Sequence, residues 1–404
     1  MRRWRIVEAG GALALVLSVA AGCVERSTES TGAPSADASL VIEALREPDP
    51  LVRAESLARV FQTLPPEALP AVRRAYSGTF FDLGDTELVL LAEWWARFDG
   101  PGALAWSGAE WRADTMQVQQ AILRAWARHE PEAALRVAEN QRADDVRGLW
   151  MDAVLSGWEE SGEPGVFEFV RAMPQGADRQ RAIAALARRK VLREGVAAAF
   201  DWAGSLPEDD DKFKLNLLRR VGGAGAEVDP KLAAERAGRL AAGPYADGLL
   251  RHVGMRWAKR DGEAALRWLA SMPPGRARDE GIAETYRIWV RWGRADAIRF
   301  MQGSARSDPA LDPATALYAH VLADDDPLAA IAVARELRDE DLRWATVGRV
   351  WRTWWIDDEP AAQSWFEAHA DEMPEFYRER IRVIPEGLRA VRERKARAAA
   401  RSNE

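Results

Sequence analysis

The sequence predicts an all-α fold, a right-handed α-solenoid of antiparallel helical hairpins with a period of about 32 residues. Ala, Leu, Arg and Glu dominate the composition while Thr, Ile and Tyr are sparse, which favours helices over strands. The 18 tryptophans outnumber the 11 phenylalanines and 5 tyrosines together and are spread along the chain, as a repeated structural role requires. In addition, turn-forming dipeptides recur at nearly constant spacing.

Most of these turns consist of an acidic residue followed by proline or glycine. They lie at Asp99-Gly100, Glu130-Pro131, Glu163-Pro164, Glu194-Gly195, Asp229-Pro230, Asp261-Gly262, Gly293-Arg294, Asp326-Pro327 and Glu359-Pro360. Successive turns are 31 to 35 residues apart, which is too regular for chance. An acid before a helix can cap its free N–H groups and favours the helix dipole, so we interpret these acids as structural.

One repeat unit spans residues 257–273. Trp257 ends the first helix, Asp261 caps the second, and Pro273 stops it because proline cannot continue the hydrogen-bond ladder. Between them lie a pair of alanines, which lets helices approach closely, and a bulky Trp268 that can fill the space left by small residues of a neighbour. Such a hairpin must stack on copies of itself to bury its apolar face.

The segment from Gly262 to Pro274 resembles the second half of a tetratricopeptide-type repeat, in which Gly, Ala, an aromatic residue and a terminal Pro recur. The resemblance covers about residues 85–384. The period near 32 is shorter than in that family, and the tryptophan ends the first helix instead of starting it, so HEAT-like repeats are the alternative. Both families imply a solenoid whose concave face binds a partner.

The N-terminus predicts export and lipidation. Three arginines precede an apolar run at residues 10–21, which has signal-peptide length and is too short to span a membrane comfortably. The following Ala20-Ala21-Gly22-Cys23 resembles the lipobox of bacterial lipoproteins, which implies a signal peptide at 1–22 and acylation of Cys23. An ordinary cleaved signal, an uncleaved anchor and twin-arginine export are the alternatives. With Val24 next, the resemblance implies an outer-membrane anchor facing the periplasm.

The rest of the chain divides by composition and phase. Residues 23–39 have almost nothing to bury and are expected to form a flexible tether. Residues 40–98 are predicted to form an irregular helical cap, and residues 99–384 the solenoid. A basic helix or tail at 385–404 is interpreted as a polar cap, with contact to anionic lipid as the alternative.

The sequence contains no recognisable signature of a catalytic, metal or cofactor site. It has no zinc-protease helix motif, nucleophile elbow, Walker loop or cysteine pair. The four histidines lie in different repeats without a partner at metal-ligand spacing. We therefore predict no enzyme activity, no catalytic residue, no metal and no cofactor.

Surplus tryptophans mark the candidate binding surface. It comprises Trp94, Trp292, Trp344, Trp351 and Trp355. They exceed the need of one tryptophan per helix, and neighbours such as Trp94 and Trp95 cannot face the same helix seam. Tryptophan is a common interface anchor, so we expect at least one of them to face outward, the alternative being that all serve packing.

The predicted function is a lipid-anchored periplasmic scaffold or adaptor that binds another envelope protein. The net charge of −7 argues against nucleic acid and favours a basic or neutral protein surface as partner. The alternative is a cell-wall or polysaccharide-active enzyme with a closed α/α-toroid, in which paired carboxylates act as acid and base.

Overall fold

The computed structural model describes residues 36–79, 83–110, 113–207, 211–383 and 386–402. Over these ranges every regular element is helical, so the predicted all-α fold is confirmed. None of the described helices combines the length and the apolarity needed to cross a membrane. The predicted signal peptide, Cys23 and most of the tether lie outside the described residues. The right-handedness of the solenoid stays a prediction.

Three helices precede the repeats: α1 (Ala36–Leu45), α2 (Pro50–Thr63) and α3 (Leu69–Thr79). They pack on one another, with Leu57 and Phe61 of α2 buried between them and the first hairpin. The first of these helices begins inside the segment that the sequence predicts as a flexible tether.

Nine helical hairpins follow, each made of a first and a second helix, in the part of the chain that the structure describes. They are α4 (Asp85–Trp95) with α5 (Gly100–Ala109), α6 (Met116–Ala127) with α7 (Pro131–Glu139), α8 (Asp144–Ser161) with α9 (Val166–Ala172), the two parts of α10 (Ala177–Ser205), α11 (Asp211–Val228) with α12 (Pro230–Gly238), α13 (Ala246–Trp257) with α14 (Gly262–Ala270), the two parts of α15 (Arg276–Gln302), α16 (Asp312–Leu322) with α17 (Pro327–Arg335), and α18 (Glu340–Asp357) with α19 (Glu359–His369). The helices α20 (Glu375–Arg382) and α21 (Glu386–Ser402) come last. The hairpin pattern thus begins with α4, inside the region predicted as a cap.

The turn inside each hairpin lies at a dipeptide that the sequence marked. Four of the acids accept a backbone N–H of the helix that they precede, as predicted: Asp99, Asp229, Asp261 and Asp326. In the last hairpin Asp358 is the cap instead of Glu359. The helix α10 turns at Gly195, whose φ of 88° is a conformation that glycine adopts without strain.

Several hairpins are closed by an aromatic pair between their two helices. A tryptophan near the end of the first helix packs on an aromatic ring of the second, with centroids 5.3 to 6.1 Å apart in Trp95–Trp106, Trp158–Phe169, Trp257–Trp268 and Trp289–Phe300. The second ring therefore packs on the first helix of its own hairpin in these repeats, whereas Trp202 packs on Phe167 of the preceding hairpin.

Two tryptophans of first helices also join successive repeats. A Cβ atom added to Gly100 would lie 2.2 Å from the ring of Trp126, and one added to Gly262 would lie 2.1 Å from the ring of Trp289. In these two hairpins the second helix begins directly under the indole of the next hairpin, and the close approach requires glycine at Gly100 and Gly262.

The helices form two layers. Consecutive first helices pack directly on one another, from α4 on α6 through to α16 on α18. Most consecutive second helices do not pack extensively on one another; α12 and α14 are an example. We call the solvent-exposed side of the first helices the first-helix face.

Candidate functional site

Four of the five predicted surface tryptophans are buried. The exposed fraction is 3% for Trp94, 7% for Trp344, 1% for Trp351 and 3% for Trp355. The expectation that these side chains form part of an exposed binding surface is therefore not met. They belong to the packed core.

The contacts of these tryptophans explain their burial. Trp94 stacks on Phe61 with ring centroids 5.2 Å apart, and its Nε1 donates to the carbonyl of Leu64 at 3.1 Å. The Nε1 of Trp351 donates to the carbonyl of Ala362 at 2.7 Å. Adjacent tryptophans on one helix do face different seams, but both seams are internal, because each first helix is packed on two neighbours.

Trp292 is the exception, with 64% of its side chain exposed. It lies one residue before the bend of α15 at Gly293, so its indole projects at the end of a first helix. The Nζ of Lys259, from the preceding hairpin, lies 5.5 Å from the ring centroid, within cation–π distance. An exposed tryptophan beside a cation is typical of an interface anchor.

One end of the first-helix face carries a network of paired charges centred on Glu160. Its carboxylate accepts from the Nε atoms of Arg124 and Arg128, both at 2.8 Å, and from Arg193 at 3.1 Å. Arg128 also donates to Glu93 at 2.8 Å. Burial alone would raise the pKa of Glu160, but these hydrogen bonds and charges lower it below its usual value. The network ties α4, α6, α8 and α10 together.

A cavity of about 430 Å³ opens beside this network, with Asp152 of α8 in its wall. Burial raises the pKa of Asp152, while the charges of Arg189 and Arg181 oppose the shift. Arg189 is itself paired with Glu159. The arginines in this region have carboxylate partners, so the charges here are largely balanced within the protein.

The other end of the first-helix face has a different arrangement. A cavity of about 280 Å³ between α18 and α20 is lined by Arg349, Arg352 and Arg380 together with Trp344 and Tyr377. Among the described residues, no carboxylate lies within ion-pair distance of these three arginines. Burial, and then the charge of Arg380, lowers the pKa of Arg352.

A larger cavity of about 530 Å³ lies between the hairpins of α13–α14 and α15. Three carboxylates line it, but each has a structural partner. Asp261 caps α14, Glu263 pairs with Arg267 at 2.8 Å, and Asp296 pairs with Arg299 at 2.8 Å. These contacts give the carboxylates of this cavity a role in the fold.

Two histidines of first helices, His252 and His320, lie near arginines. Burial first, and then the charges of Arg251, Arg220 and Arg219, lowers the pKa of His252, although a hydrogen bond with the Gly248 carbonyl opposes this. Within the residues that the structure describes, no three His, Cys, Asp or Glu side chains are placed so that they could hold a metal ion.

Arg349, Arg352 and Arg380 were not among the site residues predicted from the sequence. A signal was present, because the residues three and four positions away from Arg349 and Arg352 on α18 include no acid. Such helical neighbours neutralise many other arginines of the chain, such as Arg267. The contribution of Arg380 could not be found in this way, since it comes from another helix.

The chain has no significant match among protein-family models, curated proteins or solved structures.

Proposed function

We propose that this protein is a lipid-anchored periplasmic scaffold that binds another envelope protein through its first-helix face. The observation that carries the proposal is the exposure of Trp292 at the end of a first helix, next to Lys259. Every other tryptophan that the structure describes is buried or half-buried, so the exposed indole of Trp292 contributes little to the core. Burying its exposed 64% against a partner would recover about 2–4 kcal/mol as an upper estimate.

The packing of the layers supports the choice of face. Helices on the inside of a curved array lie closer together than those on the outside. We infer that the closely packed first helices form the concave layer, which is the usual binding surface of helical-repeat proteins. The tetratricopeptide-like class, with HEAT-like as the alternative, is part of the same proposal.

The experiment is affinity capture from solubilised membranes with matched variants. The W292A variant removes the exposed indole, while L328A removes a side chain of 55% exposure from a second helix on the other layer. We expect wild type and L328A to recover the same stoichiometric partner and W292A to lose it. Equal recovery by W292A, or repeated recovery of no partner, would overturn the proposal.

The membrane anchor needs a separate test. If Cys23 carries the lipid, Cys23→Ser should move the protein from the membrane fraction to the soluble fraction. Unchanged fractionation would reject the anchor without affecting the result for Trp292.

A further inference from the structure

The cavity between α18 and α20 concentrates positive charge without an internal counter-charge. Arg349 and Arg352 lie three residues apart on α18, and Arg380 reaches the same cavity from α20. The net charge of the whole chain is −7, so acids are abundant in this protein. Among the described residues, no acid lies within ion-pair distance of these three arginines. In contrast, Arg53, Arg128 and Arg189 each pair with a carboxylate.

The hydrogen bonds of the three guanidinium groups leave most of their donors unused. The Nη2 of Arg352 donates to the Arg380 carbonyl at 2.9 Å, and the Nε of Arg349 reaches the Ala345 carbonyl of its own helix at 3.4 Å. The guanidinium of Arg380 lies 5.4 Å from the centroid of the Phe376 ring. Each guanidinium has five N–H donors, so donors remain for a ligand in the cavity.

The remaining walls define the size and charge of the ligand. The hydroxyl of Tyr377 donates to Asp341 at 2.8 Å, so its ring forms one wall and Trp344 another. A volume of about 280 Å³ is slightly below the range of sites for drug-sized molecules. Three arginines line the cavity, and the acids whose charges act on Tyr377 are Asp341 and Asp339, so positive charge remains in excess there.

We propose that this cavity is a binding site for a small oxyanion with two negative charges, either a phosphate group or a dicarboxylate. Guanidinium groups bind both kinds of oxyanion in paired, planar hydrogen bonds. The bound anion would neutralise the half-buried Arg352 and the exposed Arg380, which otherwise repel each other.

The test is a calorimetric titration of the full-length protein at low ionic strength with inorganic phosphate, succinate and acetate, with sodium chloride as the control for ionic strength. We expect saturable binding of phosphate or succinate, and the tighter of the two identifies the class of anion. Acetate, with one charge, should bind at least about tenfold more weakly. Equal binding of acetate, or no saturable binding of either dianion, would overturn the proposal.

Two variants locate the site. R352Q should weaken binding of the dianion about tenfold or more, because it removes a charged donor. R239Q is the control, since Arg239 is exposed and pairs with Glu235 on its own helix; its affinity should equal that of wild type. If R352Q does not fold by circular dichroism, R380Q replaces it, because Arg380 is exposed. Wild-type affinity in the folded variant would place the anion elsewhere and contradict the proposal.

Discussion

The two ends of the first-helix face use arginine in opposite ways. Around Glu160, the guanidinium groups of Arg124, Arg128 and Arg193 share one carboxylate and join four helices. Around Arg352, the guanidinium groups face a cavity and each other. A charge with an internal partner serves the fold, whereas a charge that the fold leaves uncompensated is available to a ligand.

The largest effect on stability should come from Glu160→Gln. The substitution keeps the shape of the side chain but leaves three arginines without their shared negative charge, so the free energy of unfolding should fall by about 2 kcal/mol. Urea unfolding at fixed salt measures this. Glu55→Gln is the control, because Glu55 and Arg59 form an exposed pair that should contribute less than about 1 kcal/mol. Equal effects of the two variants would remove the structural role of the network.

Acid should reveal the same role through titration. The pKa of Glu160 is lower in the folded protein than its ordinary value of 4.5, so its stabilising contribution is present above that pH. The contribution is lost as the pH falls through the folded-state pKa. The difference in unfolding free energy between wild type and E160Q should therefore shrink below pH 4.5. A difference that stays constant on acidification would show that Glu160 does not act through its charge.

Ala345→Glu should give the arginines of the cavity an internal carboxylate partner, as Glu160 does for the arginines at the other end of the face. Ala345 lines the cavity and lies one helical turn before Arg349, where a glutamate can pair with that arginine. The free energy of unfolding should rise by about 0.5 kcal/mol, and the affinity for phosphate or succinate should fall, because the new carboxylate occupies the donors. Unfolding and anion titration of the same sample check both outcomes. Unchanged anion affinity would mean that these donors are not the ones that bind.

The smallest effect on stability is expected for Arg352→Gln. Its guanidinium has no acidic partner among the described residues, and the loss of its hydrogen bond to the Arg380 carbonyl is offset by relief of the repulsion from Arg380. Its removal should therefore change the unfolding free energy by less than about 0.5 kcal/mol. Urea unfolding in an anion-free buffer is the measurement. A loss similar to that of E160Q would make Arg352 a structural residue and erase the contrast between the two regions.

The sequence predicted the fold well because the decisive signals are local. The helix start at Asp261 depends on its carboxylate and the N–H group of Ala264, which are only three residues apart in the sequence. The shift of the last cap to Asp358 was not predictable in this way, because Asp357, Asp358 and Glu359 are all acidic neighbours.

The candidate site was predicted less well because exposure depends on packing between repeats. Trp351 and Trp292 are both tryptophans of first helices, yet one is buried between helices and the other projects beside a bend. No local pattern separates them. The cavity of Arg352 also needs Arg380, which the fold brings in from 28 residues further along the chain.

The packing of each helix mainly on its neighbours in the chain has a mechanical consequence. The element pairs that pack extensively come from the same hairpin or from adjacent ones. A force applied at the two ends would therefore meet a series of similar interfaces, each held by its own indole–glycine contact or ion pairs. Such a chain should lengthen in steps of one hairpin, and the hairpins that remain folded should keep their shape while the others extend.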